Sequence, residues 1–95
     1  MEWQGSEKQI EYAQSIARKF STEIEGLIAE VGALRASGEP LADGVDFDAE
    51  IAAYRTGLAR LQRVRSARWI LDKARVQGAE WTVRYLSKPE NKLIV

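Results

Sequence analysis

Ser6-Glu7-Lys8-Gln9-Ile10-Glu11-Tyr12-Ala13-Gln14-Ser15-Ile16-Ala17-Arg18-Lys19-Phe20 begins a segment in which apolar residues return every three or four positions. They are Ile10, Ala13, Ile16, Ala17, Phe20, Ile24, Leu27, Ile28, Val31 and Leu34. That is the period of an amphipathic helix. Ser6 followed by Gln9 has the form of a capping box. Glu7 suits the positive end of the helix dipole. Ser37-Gly38 supplies a stop, and Pro40 follows. The spacing predicts a first helix over about residues 6–36, roughly 45 Å long at 1.5 Å per residue.

Working outward, Ser37 to Asp46 reads as a loop. Asp46 is an N-cap candidate, and Asp48 and Glu50 place acid in the next first turn. Ile51, Tyr54, Leu58, Leu61 and Val64 then repeat the helical period. After Val64 the stripe slips to Ala67, Ile70, Leu71 and Ala74. Either Ser66 caps a new helix there, or one helix runs through with a shifted phase. Helical character is expected over about 47–76, with Gly78 as its end. The C-terminal stretch has two readings: a short helix over about 79–87, which the helical context favours, or a hairpin pairing 81–86 with 92–95.

The resulting fold class is mainly α, a single domain over residues 1–95 built on a long antiparallel helical hairpin. Facing levels across a loop centred near residue 41.5 should sum to about 83. Gly26 then lies level with Gly57, which suggests a close backbone crossing. Glu23, Glu25 and Glu30 lie level with Arg60, Arg63 and Arg55 or their neighbours.

Composition narrows the function. The chain has 95 residues, 14 basic and 14 acidic side chains, no His and no Cys. Disulfides, thiolate metal sites and Cys nucleophiles are excluded. The commonest general base and metal ligand is missing as well. No phosphate loop or nucleophile elbow is present. The expectation is a protein that is not an enzyme and needs no cofactor or metal. No membrane span or leader is visible, so a cytoplasmic location is expected.

The charge is uneven. Residues 1–50 hold 4 basic and 11 acidic side chains, and residues 51–95 hold 10 basic and 3 acidic. Such a split marks either a nucleic-acid-binding half or two halves that pack together. Arg55, Arg60, Arg63, Arg65, Arg68, Lys73 and Arg75 point in several directions around a helical wheel. A DNA-reading helix concentrates its basic residues on one face, so nucleic acid is the lesser expectation and ion pairing between the halves the greater. Asp43, Asp46, Asp48 and Glu50 lack the calcium-loop pattern and read as caps. Trp69 lies off the Ala67-Ile70-Leu71-Ala74 face and is the leading aromatic candidate for a partner contact, with core or tail packing the greater expectation for it. Two helices alone do not bury three Trp, so the C-terminal segment or a second copy must help.

Gly5-Ser6-Glu7-Lys8-Gln9-Ile10, with Ala13 and Ile16, resembles the opening of a loose group of small helical proteins from phages and mobile elements. Ser66-Ala67-Arg68-Trp69-Ile70-Leu71-Asp72 resembles a second segment of that group. The likeness covers about a fifth of the chain. Tyr12 stands where the group usually has Trp, and Lys73-Ala74 where it has Asn-Arg. The group includes a type I anti-CRISPR protein. The resemblance implies a phage accessory protein acting in the cytoplasm of an infected bacterial host. Its partner would be a Cas protein or type I effector complex, blocked sterically from DNA or from its nuclease. Glu7, Glu11, Glu23, Glu25 and Glu30 would meet a DNA-binding groove, with Arg63, Arg68, Trp69 and Arg75 as an alternative contact face. A DNA-binding accessory protein and a self-assembling helical module, including a homodimer, are the rival expectations.

Overall fold

A computed structural model describes residues 2–38 and 46–91. These residues form four helices and no strand. The first, α1, spans Glu7–Ser37, and the expected capping box is formed in both directions. The Gln9 amide donates to Ser6 Oγ, and the Ser6 amide to Gln9 Oε1. Gly38 closes the helix in the left-handed region at φ 76°, where a side chain is disfavoured. The second, α2, spans Phe47–Leu61, and the Asp46 carboxylate accepts from the Asp48 and Ala49 amides.

The chain breaks between α2 and the next helix. Ser66 caps the new helix through Trp69 N–H, which decides between the two readings of the slipped stripe. This helix, α3, is composite: α-turns over Ala67–Trp69, a π-turn over Ile70–Ala74, and α-turns again over Arg75–Gln77. The Arg75 amide bonds Ile70 O, five residues back. Ile70 and Ala74, at the two ends of the π-turn, are both buried. Gly78, at φ 96°, separates α3 from α4, Ala79–Ser87. The helical reading of 79–87 therefore holds. The alternative hairpin needed Lys92 to Val95, which lie outside the described residues.

The long axis of 48 Å is that of α1. Arg35 meets Asp48 at 2.6 Å, and Leu61 and Gln62 lie beside Ala17 and Ser21. Thus α2 runs back along α1, near the level expected from the loop. Yet the main partner of α2 is α4, not α1. The core draws Ile16, Phe20 and Ile24 from α1, Leu58 and Leu61 from α2, Ile70 from α3, and Val83 and Leu86 from α4. A hairpin alone would leave half of the α2 stripe wet; α4 covers it.

Two expectations of the hairpin fail here. Gly57 does sit at a close crossing, but against the Val83 backbone of α4. Gly26 faces open space, with nothing within 4 Å of an added Cβ. Nor do the α1 glutamates pair with α2. The described ion pairs are Arg35–Asp48, Arg68–Asp72, Arg84–Glu50 and Arg84–Glu80. Level fixed neighbours along the axis, while azimuth around each helix turned these side chains apart.

Candidate functional site

The two segments that carry the resemblance are joined in space. The Gln4 amide donates to Arg65 O at 2.7 Å, and the Ala67 amide donates to Gln4 O at 3.1 Å. This single parallel bridge pins residues 2–5 across the start of α3. Gly5 turns the chain into α1 at φ 136°, and a Cβ there would come to 3.0 Å from Ala67 Cβ. Arg65 lies over the Trp3 ring at 5.5 Å. Beside this joint is an open depression lined by Gln4, Gly5, Gln9, Ser66, Arg68 and Asp72. The Gln4 backbone bonds, the Gln9 and Ser66 caps and the Arg68–Asp72 pair occupy most of its polar groups, so it reads as a structural joint.

A second depression lies along the outer side of α3, between Ser66, Arg68, Trp69, Asp72 and Lys73. Trp69 is half-buried. Its ring meets Tyr85 at 6.0 Å, and Tyr85 stacks on Trp81 at 5.1 Å. The C-terminal helix thus accommodates two of the three Trp, as one of the two sequence options required. Trp69 still presents part of its ring to solvent.

Three residues of the basic run serve the fold. Arg60 donates to Leu86 O and Lys88 O, closing the end of α4. Arg65 donates to Gln62 O and Val64 O across the α2–α3 break. Arg75 donates to Leu71 O and lies over Tyr12 at 5.8 Å. Arg63, by contrast, is exposed and makes no ion pair among the described residues. The four residues expected on one contact face therefore separate: Arg68 shares its depression with Trp69, Arg63 sits in the break, and Arg75 turns toward α1.

The acidic residues divide in the opposite sense. Asp46 caps α2, Asp48 holds Arg35, and Glu50 holds Arg84. Asp43 lies outside the described residues. No group of three or more acidic side chains among the described residues is placed to hold a metal. Glu7, Glu11, Glu23, Glu25 and Glu30 are all exposed and form no ion pair among the described residues. Glu7 and Glu11 lie near the start of α1 among Lys8, Arg18 and Lys19. Glu23, Glu25 and Glu30 lie in a stretch, residues 20–34, that contains no basic residue.

One cluster escaped the sequence reading. Arg84 binds Glu50 at 2.7 Å and Glu80 at 3.1 Å, and donates to Tyr54 Oη at 3.0 Å. The Tyr54 hydroxyl in turn donates to Glu80 Oε1 at 3.1 Å. The Glu80–Arg84 spacing of four was readable as a helix pair; its bond to Glu50 on α2 was not. Burial pushes the Tyr54 phenol above its usual range, against the pull of the Arg84 charge. The Glu50 hydrogen bond holds Arg84 protonated even more firmly than usual.

Both shifts have the same sign for stability. In each case the folded state keeps its proton to higher pH than the unfolded chain does. The contribution is present below the unfolded pKa and is lost as pH rises through the folded one. Stability should therefore stay level through neutral pH and decline from about pH 10, the ordinary tyrosine range. Tyr54→Phe should cost about 1 kcal/mol at neutral pH and make that decline shallower. Urea titrations at neutral and alkaline pH read both effects; an unchanged alkaline slope refutes the assignment to Tyr54.

Comparison with known proteins finds no matching family model, no matching curated protein and no matching solved structure. No helix among the described residues is long and apolar enough to cross a membrane.

Proposed function

We propose that this chain is a non-enzymatic inhibitor that binds a protein of a nucleic-acid-handling complex through exposed glutamates on the two flanks of α1, Glu23 and Glu30 on one and Glu25 on the other. The observation that supports this is the unpaired state of Glu23, Glu25 and Glu30. They stand in a helix segment free of basic residues, on a chain whose other half carries 10 basic side chains. Packing left these carboxylates outside the ion pairs with α2 that the sequence suggested, so all three are available to a partner. A rigid rod bearing spaced carboxylates complements a basic groove built for phosphates.

The resemblance of residues 5–16 and 66–72 to phage accessory proteins makes a type I CRISPR effector the partner to test. Binding in its DNA groove, or where its nuclease docks, would inhibit sterically in the host cytoplasm. The test is phage plating on hosts immune through different type I systems, with and without this protein. Rescued plaquing in at least one host is expected. No rescue in any host, with expression confirmed, removes the reading.

Within a rescuing host, Glu23→Lys, Glu25→Lys and Glu30→Lys combined should lower rescue about tenfold or more, equivalent to ~1.4 kcal/mol of binding. The three side chains are exposed and unpaired, so each should change folding stability by less than about 0.5 kcal/mol. Unchanged rescue by the folded triple variant refutes the acidic contact surface.

A further inference from the structure

We propose that the outer face of α3 is a two-fold self-association surface on which a second copy of this chain docks. Arg68 and Asp72 lie four residues apart on this face, 3.4 Å from each other, with side chains 87% and 59% exposed. Trp69, half-buried, walls the adjoining depression with Ser66 and Lys73. One turn beyond Asp72, Val76 is 69% exposed, the most exposed large apolar side chain described.

The occupant follows from the order of charges. A two-fold axis that crosses a pair of antiparallel helices at the level of residue 70, on the side opposite the buried Ile70, carries position 68 onto position 72. It sets Arg68 of each copy against Asp72 of the other. The four charges then form a closed ring of alternating sign. Each copy offers the same depression, walled by Trp69, so the patch faces its own copy across the axis, as an isologous contact requires. Trp and Arg are the side chains that anchor such contacts best. The net charge of zero leaves little long-range repulsion between copies. The face is separate from Glu23, Glu25 and Glu30, so the proposal stands apart from the inhibitory reading.

The test uses sedimentation equilibrium on the full chain. The unaltered protein should have twice the mass of one chain. Arg68→Asp leaves two carboxylates on the patch, and Asp72→Arg leaves two guanidinium groups. Each variant alone should be monomeric. Their equimolar mixture should return the dimer, because every cross-pair then has opposite sign. The double variant Arg68→Asp/Asp72→Arg should dimerise as well.

A monomeric unaltered chain overturns the proposal. So does a dimer indifferent to either reversal, which would place the contact elsewhere, and so does a mixture that stays monomeric. If a reversal unfolds the helix by circular dichroism, Arg68→Gln and Asp72→Asn make the same test. Each should weaken the dimer, and an unweakened dimer overturns the proposal.

Discussion

Gly57→Ala should be the most damaging single-methyl change in the chain. Gly57 is buried where α2 crosses α4, and an added Cβ would overlap the Val83 carbonyl and come to 2.8 Å from Val83 Cα. These are backbone atoms, so no rotamer change relieves the overlap. The two helices would have to separate, at the packing on which Tyr54, Leu58, Val83 and Leu86 depend. Overpacking typically costs 1–3 kcal/mol, and a backbone obstacle puts this case at about 3 kcal/mol or more. For a domain of this size that lowers the melting temperature by roughly 12–24 °C. Gly26→Ala is the control. Nothing stands within 4 Å of its Cβ position, so the variant gains helix propensity, up to about 1 kcal/mol. Thermal melts of the two variants should therefore move in opposite directions. A Gly57→Ala chain that melts with the unaltered protein would show that the crossing is not close.

The same pair of glycines shows how far the sequence could be read. Helix boundaries were legible because each has a local chemical marker: Ser6 with Gln9, Asp46, Ser66, Gly38 and Gly78 act within one turn of themselves. Gly57 was a candidate crossing point because a mid-helix glycine costs helix stability, though the same sign at Gly26 marked open space. The partner of Gly57 was not legible, since the loop arithmetic relates α1 to α2 and says nothing of a later helix that competes for the same α2 face. The ion pairs failed for a related reason. Surface pairs are worth only about 0.2–1 kcal/mol, too little to rotate a helix whose apolar stripe is already committed. Packing fixed the azimuths, and the α1 glutamates went where it left them. The π-turn in α3 had no marker of its own; the slipped stripe indicated only that some phase correction was needed.

Gly5→Ala should be nearly as costly, and its outcome also bears on what the phage-like opening does. Gly5 has φ 136°, which side-chain-bearing residues rarely adopt, and its Cβ would press on Ala67 at 3.0 Å and on Gln9 Oε1 at 3.3 Å. Such backbone strain costs of order 1–3 kcal/mol. Relief requires residues 2–5 to leave the start of α3, giving up the Gln4 bonds to Arg65 and Ala67 and the Arg65–Trp3 contact. We expect a loss of about 2–3 kcal/mol. On the proposed inhibitory reading, plaque rescue should then fall only insofar as the fold does, and recover when the variant is assayed at lower temperature. That pattern would mark the opening and the Ser66–Asp72 segment as one structural joint, two pieces of sequence kept together because each caps and pins the other. A Gly5→Ala chain with an unchanged melting point but no rescue of plaquing would reverse the reading: the joint would be dispensable to the fold, and the depression beside Arg68 would be the surface that meets the effector.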